Sequence, residues 1–144
     1  MEAVKSAGAA QSQASEDRLQ HLTPNERSAL AALVDCLRQR YGDDLLRLVL
    51  FGSKARGDFD SESDLDFLVV VRMPDDDYWR HWREILHSTY PIELQYGVVL
   101  SLLIGDEVEY VEMRRASLLL NRSIERDGIE LWTSKQDAPT LVSA

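Results

Sequence analysis

The sequence predicts an α/β (α+β) fold in which a small mixed sheet is flanked by helices. Three observations predict it. Two short apolar runs, 45–51 and 65–71, have the length and branched composition of buried strands. A segment opening at Thr23 and another opening after Asp106 carry apolar residues at helical spacing. The order helix, strand, turn, strand, helix, strand, helix then lays helices against a sheet.

Bulk properties narrow the class. A chain of 144 residues suits one domain with a core of its own. Cys36 is the sole cysteine, so no intrachain disulfide forms, and a reducing, cytoplasmic setting is the simplest expectation. No apolar run approaches a membrane span, and the N-terminus lacks the pattern of a secretory signal. Net charge is −9, from 16 basic and 25 acidic residues. Without a basic patch, DNA or RNA is disfavoured as the main partner. A small substrate or a basic protein surface fits better.

The elements follow in order. Residues 1–22 read as a flexible N-terminal tail, 23–133 as the folded domain, and 134–144 as a flexible C-terminal tail. Thr23 is a fitting N-cap, Pro24 suits the first helical position, and Glu26 completes a capping box. Leu30, Leu33, Val34 and Leu37 share one face of this helix, and Gly42 stops it. A strand over 45–51 carries one interruption, Arg47. Gly52-Ser53 breaks it, a short turn or helix covers 54–57, and a polar loop covers 58–63. A second strand spans 65–71. Three aspartates, 75–77, open a helix to about His87. Residues 92–104 are rich in Val and Leu and read as a third strand, with Gly97 as a bulge or bend. One long helix is expected over about 106–127, with Gly128 as its stop. Val111, Met113, Leu118, Leu119, Leu120 and Ile124 give it an apolar surface wider than one stripe, wide enough to serve core and interface together, in a homo- or hetero-oligomer.

The chemistry concentrates in 51–67. Gly52 ends a strand at a sharp turn, where a missing Cβ lets backbone approach a ligand. Ser53 adds an N–H and a hydroxyl at the start of a helical turn, a cradle for phosphate. Arg56, one turn on, can pair with phosphate through its fork of donors. Asp64 and Asp66 are two apart on a strand and point to one face. Two adjacent carboxylates repel unless a cation joins them. Magnesium suits such a pair, because it takes one or two carboxylates plus the substrate's own phosphate oxygens. Gly-Ser alone is common at turns, and Asp-x-Asp at solvated edges. The two together, between apolar strands, are specific.

Gly52-Ser53, ten residues, then Asp64-x-Asp66 resembles the signature of the DNA polymerase beta-like nucleotidyltransferase superfamily. The fuller form, Phe51-Gly52-Ser53-Lys54-Ala55-Arg56-Gly57, resembles the minimal nucleotidyltransferase domains, among them the MntA-type antitoxins. By element order the resemblance covers about 24–132; its specific part is Phe51 to Phe67. It implies a polymerase beta-like fold and a magnesium- or manganese-dependent attack on the α-phosphate of ATP, with pyrophosphate leaving. Gly52, Ser53 and Arg56 then bind nucleotide, and Asp64 and Asp66 hold metal and act in catalysis. It also implies a protein partner, a small helical HEPN-type toxin, one tyrosine of which accepts AMP.

The sequence departs from the family in one respect. Catalytic members bring a third carboxylate from the next strand, yet the middle of the third strand, Gly97 to Ser101, has none. Glu93 is the one acid in that strand and so the candidate catalytic third carboxylate, although an acid at a strand end is commonly just solvated. Two alternatives to AMP transfer onto a protein therefore stand. One is a catalytically weak nucleotide-binding antitoxin acting by contact. The other is a small-molecule nucleotidyltransferase of the aminoglycoside type. His21, His81 and His87 lack a metal-pair spacing, Trp79 and Trp82 read as core, Cys36 as a buried inert thiol, and Ser101 has no base at a useful spacing.

Overall fold

The capping box predicted at Thr23 is present in the computed structural model, which describes residues 17–57, 64–116 and 119–134. Thr23 Oγ1 accepts the Glu26 N–H at 3.1 Å, and Glu26 Oε1 accepts the Thr23 N–H at 2.9 Å. Helix α1 (Pro24–Tyr41) follows, burying Ala29, Leu30, Leu33 and Leu37 at helical spacing. Gly42 ends it, its N–H bonded to the Arg38 carbonyl.

A short 3-10 turn, Gly42–Asp44, leads into strand β1 (Leu45–Phe51), helix α2 (Ser53–Arg56) and strand β2 (Leu65–Val71). Helix α3 (Tyr78–Tyr96), strand β3 (Leu100–Asp106), helix α4 (Glu107–Ala116), helix α5 (Leu119–Asp127) and strand β4 (Ile129–Thr133) complete the chain. The sheet order is β3-β2-β1-β4. Strand β1 is antiparallel to β2 and β4, whereas β2 and β3 run parallel. The sheet is therefore mixed, as expected.

Both faces of the sheet are covered. Leu48, Leu50, Phe67, Val69 and Ile104 face the buried residues of α1 and α3. Leu46, Val49, Leu68 and Val70 face Tyr110 of α4 and Ile124 of α5. Full burial of such a side chain contributes about 1.5–3 kcal/mol over leaving it exposed. Arg47 interrupts the apolar run because β1 has a register shift between Leu45 and Arg47. Its guanidinium meets Glu130 at 2.9 Å and Glu125 at 3.0 Å, and lies 5.4 Å from the Tyr110 ring centroid.

Four expectations are corrected. Residues 92–96 are not strand. Ile85, Thr89 and Ile92 are buried at helical spacing, so α3 runs through Pro91 to Tyr96, and Gly97, at φ 66°, is its left-handed cap rather than a bulge. That helix starts at Tyr78, with Asp77 Oδ1 accepting the Arg80 N–H at 3.3 Å as its N-cap. The single helix expected over 106–127 is two helices, α4 and α5, with 117–118 outside the described residues. Trp82 packs on the core as expected, but Trp79 is 64% exposed. Tyr78 takes the inward position, its hydroxyl donating to the Ile104 carbonyl at 2.8 Å, and one residue on the helix has rotated outward. Strand β4 was not anticipated. Residues 1–16, the loop 58–63, Leu118 and the segment 135–144 lie outside the described residues.

Candidate nucleotide and metal site

The site forms where β1 ends and β2 begins. Because these strands are antiparallel, Phe51 at the end of β1 pairs with Asp66 near the start of β2. The turn after β1 thereby lies beside the second aspartate. Gly52 sits at φ 76°, ψ −160°, a conformation that only glycine adopts freely. A Cβ at this position would run into the Asp66 carboxylate. Glycine is thus required twice, for its backbone angles and for the close approach.

Helix α2 starts at Ser53. Its first turn is closed by the Ala55 and Arg56 N–H groups, which both donate to the Gly52 carbonyl at 3.1 Å, and by the Gly57 N–H, which donates to Ser53 O at 2.8 Å. The Ser53 N–H and hydroxyl take no partner among the described residues, so they remain available at the mouth of the turn. Arg56 is exposed and, with Arg18 and His21, lines an open cleft of about 420 Å³ on the outer side of the turn. Its charge is felt at the Asp66 carboxyl, where it offsets part of an upward pKa shift.

Three contacts, none foreseen from the sequence, fix the turn in place. Lys54, between Ser53 and Ala55, is 1% exposed, and its ammonium lies 2.6 Å from Glu26 Oε2. The capping glutamate of α1 thus has a second task, anchoring α2. The Lys54 carbonyl is held by His21 Nε2 at 2.6 Å. Arg18 donates to the carbonyls of Asp127 and Gly128, tying the segment before α1 to the end of α5.

The two aspartates differ in environment. Asp64 is exposed at the strand start, while Asp66 is half-buried. Burial and repulsion from Asp64 push the Asp66 carboxyl above its usual range, opposed by a hydrogen bond from Ser101 and by Arg56. A cation between two such carboxylates relieves that strain, and their oxygens are donors that suit magnesium. Among the described residues no three acids, histidines or cysteines cluster tightly enough to hold a metal without help. Two protein carboxylates completed by phosphate oxygens and water fit that donor set.

The neighbour of Asp66 on the next strand is Ser101. Strands β2 and β3 are parallel and in register, with Asp66 opposite Ser101. No acid therefore stands opposite Asp66 on this strand. The only acid in β3, Asp106, lies at the far end opposite Val71. Glu93 is not in the strand. It sits in the last turn of α3, and its Oε1 accepts the Leu100 N–H at 2.8 Å, which fixes the start of β3. The sequence hid Ser101 because its partner is set by strand register, which the misplaced strand start obscured.

Comparison with known proteins agrees with this architecture. Residues 30–136 match the family model described as a nucleotidyltransferase domain. A protein of Methanocaldococcus jannaschii, named as a candidate protein adenylyltransferase, is 31% identical over 108 residues, covering 75% of this chain and 99% of that protein. A second of the same name and organism is 40% identical over 63 residues, 43% of this chain and 61% of the other. Among solved structures, a mutant of the MntA–HpeT toxin–antitoxin superposes with a TM-score of 0.53 at 21% identity, covering 79% of this chain and 81% of that one. A toxin–antitoxin crystallised with AMP-PNP gives 0.52 at 24% identity, covering 79% and 84%. At these identities the superpositions speak for the fold. No described helix is long and apolar enough to cross a membrane. The matched domain model, the extent of the first relative and the strand-turn-strand arrangement of Gly52-Ser53 with Asp64 and Asp66 agree, and the chain belongs to the nucleotidyltransferase domain family.

Proposed function

We propose that this nucleotidyltransferase transfers AMP from magnesium-bound ATP to a hydroxyl of a partner protein. The observation that carries the reading is the placement of Gly52 against Asp66, which brings the phosphate turn and the carboxylate pair together. Gly52 and Ser53 receive the β and γ phosphates, and Arg56 adds positive charge beside them. Asp64 and Asp66 hold the metal, manganese serving as well as magnesium. Magnesium, when bound, polarises the α-phosphate and neutralises charge on departing pyrophosphate. The acceptor oxygen forms a bond to the α-phosphorus as the bond to the β-phosphate oxygen breaks. The hydroxyl proton leaves to a base carried by the acceptor, because Ser101, not an acid, stands opposite Asp66 on β3. Glu93 acts as a positioning residue through the Leu100 N–H. The names of the M. jannaschii relatives support protein adenylylation, and the toxin–antitoxin neighbours support a toxin as acceptor, with a tyrosine of a HEPN-type protein as the specific expectation.

Ser101 favours a second reading. A domain lacking the third acid can bind magnesium-ATP and neutralise its partner by contact, with little turnover. ATP labelled at the α-phosphate and, in parallel, at the γ-phosphate separates the two when incubated with this protein and lysate of its source cells. Transfer of α-label alone to a protein band, lost in Asp64→Ala, supports adenylylation. Absence of label with magnesium-ATP binding intact supports the contact module.

A further inference from the structure

Strand β3 forms one edge of the sheet, and its hydrogen-bonding groups can be assigned individually. The Leu65 N–H donates to the Val99 carbonyl at 3.0 Å. In a parallel ladder this fixes the alternation: Val99, Ser101 and Leu103 turn their backbone groups to β2, and Leu100, Leu102 and Ile104 turn theirs outward. Two of the outward groups are occupied. The Leu100 N–H is taken by Glu93 and the Ile104 carbonyl by the Tyr78 hydroxyl, both from α3. Between these closures the Leu100 carbonyl, both groups of Leu102 and the Ile104 N–H take no partner among the described residues. Edges of this kind pair with an added strand unless they are blocked, and among the described residues the blocking contacts lie at its two ends.

The side chains around this window are equally specific. Val99, Ser101 and Leu103 share a face with Asp66, and Val99 and Leu103 are 57% and 38% exposed. Acids flank the strip. Asp64 and Asp66 lie on one side, and Glu109 lies over Gly105 at the far end, its Oε2 3.6 Å from where a Cβ would stand. Burial and the neighbouring Asp106, Glu112 and Asp76 hold the Glu109 carboxyl above its usual range, so acidic groups gather at this end. Arg56 is the basic side chain whose charge reaches Asp66, from the opposite side.

We propose that the open window of β3, centred on Leu102, receives an extended basic segment of the acceptor protein as an added edge strand. The inference rests on the adenylylation reading and deepens it. An added strand would run two strand spacings from β2, roughly 10 Å from the carboxylate pair. Main-chain bonds supply affinity, apolar contact with Val99 and Leu103 sets register, and lysines or arginines at the two ends of the segment meet the acids that lie beyond the strip.

The test uses the full chain and the peptide Lys-Val-Lys-Tyr-Lys-Val-Lys, blocked at both ends. Amide exchange of Leu102 and Ile104 is expected to slow at least tenfold on peptide binding. N-methylation of alternate peptide amides on the pairing edge, and separately Leu103→Lys in the protein, are each expected to weaken binding at least tenfold. Leu103→Lys should bind magnesium-ATP as the parent does. The proposal is overturned if the peptide does not bind, if it binds without protecting those two amides, if N-methylation has no effect, or if a second copy of the chain already protects the edge. Binding with edge protection but no AMP transfer would leave the docking inference standing and remove the adenylylation reading instead.

Discussion

The ammonium of Lys54 lies 2.6 Å from the carboxylate of Glu26, and both side chains are removed from solvent. This pair joins the cap of the first helix to the turn that presents Ser53. Removing one partner leaves a buried charge uncompensated, which costs about 3–5 kcal/mol. Lys54→Met is therefore expected to destabilise the fold by that amount in chemical denaturation. Adding Glu26→Gln to it should recover part of the loss, because the stranded charge is gone. A double-mutant cycle giving simple additivity would show that the pair is not coupled.

The same pair makes stability depend on pH. Burial tends to raise the Glu26 carboxyl, but the Lys54 ammonium and the Thr23 N–H and hydroxyl outweigh it and hold the group below its ordinary value. A carboxyl with a lowered folded pKa stabilises fully above its unfolded value and loses that contribution as pH falls through the folded value. The difference in melting temperature between the parent and Glu26→Gln should be constant near neutrality and shrink below about pH 4. A difference that grows on acidification would contradict the assignment.

Gly52→Ala tests the approach of turn to carboxylate. Its methyl would meet Asp66 and would also strain a backbone at φ 76°. Magnesium-ATP affinity measured by calorimetry should fall at least tenfold, on the order of 1.4 kcal/mol or more. Parent-like affinity would mean that the turn does not contact the nucleotide.

Glu93 separates positioning from catalysis. Glutamine retains an oxygen for the Leu100 N–H, whereas alanine does not. Glu93→Gln should keep the AMP-transfer rate and Glu93→Ala should lower it, with β3 amide exchange faster in the alanine variant alone. Equal loss of activity in both, with unchanged exchange, would restore Glu93 as a catalytic carboxylate.

Ser101→Asp places an acid beside Asp66 in the parallel register. Electron paramagnetic resonance with manganese and ATP is expected to show a second bound ion, and transfer should accelerate. One ion bound at unchanged affinity, with unchanged rate, would mean that this position does not face the metal.

Local signals made much of this molecule legible. Thr23, Pro24 and Glu26 announce a helix start through their own chemistry, and the length of 45–51 and 65–71, their branched apolar residues and the flanking Gly52 and Pro74 favour strands over helix. Gly52-Ser53 and Asp64-x-Asp66 stand out by their spacing along the chain, and the structure brings Gly52 against Asp66. The failures share a cause: they depend on tertiary contact. Ile92 belongs to a helix because Ile85 and Thr89 lie beneath it, although its neighbours read as strand. Strand β4 is short and pairs only with β1, through a register shift, so no alternation marks it. Ser101 acquires meaning only from Asp66 across a parallel ladder, and Lys54 only from Glu26 on another helix, and neither partnership leaves a trace in sequence spacing.

The most direct test of the account is calorimetric titration of ATP into the protein with magnesium, repeated with a chelator and with Asp64→Ala. The site predicts magnesium-dependent binding by the parent, loss of that binding in the variant, and an unchanged melting temperature without ligand, because Asp64 is exposed. ATP binding that persists equally in the chelator and in the variant would place the nucleotide away from Gly52, Ser53 and the aspartate pair.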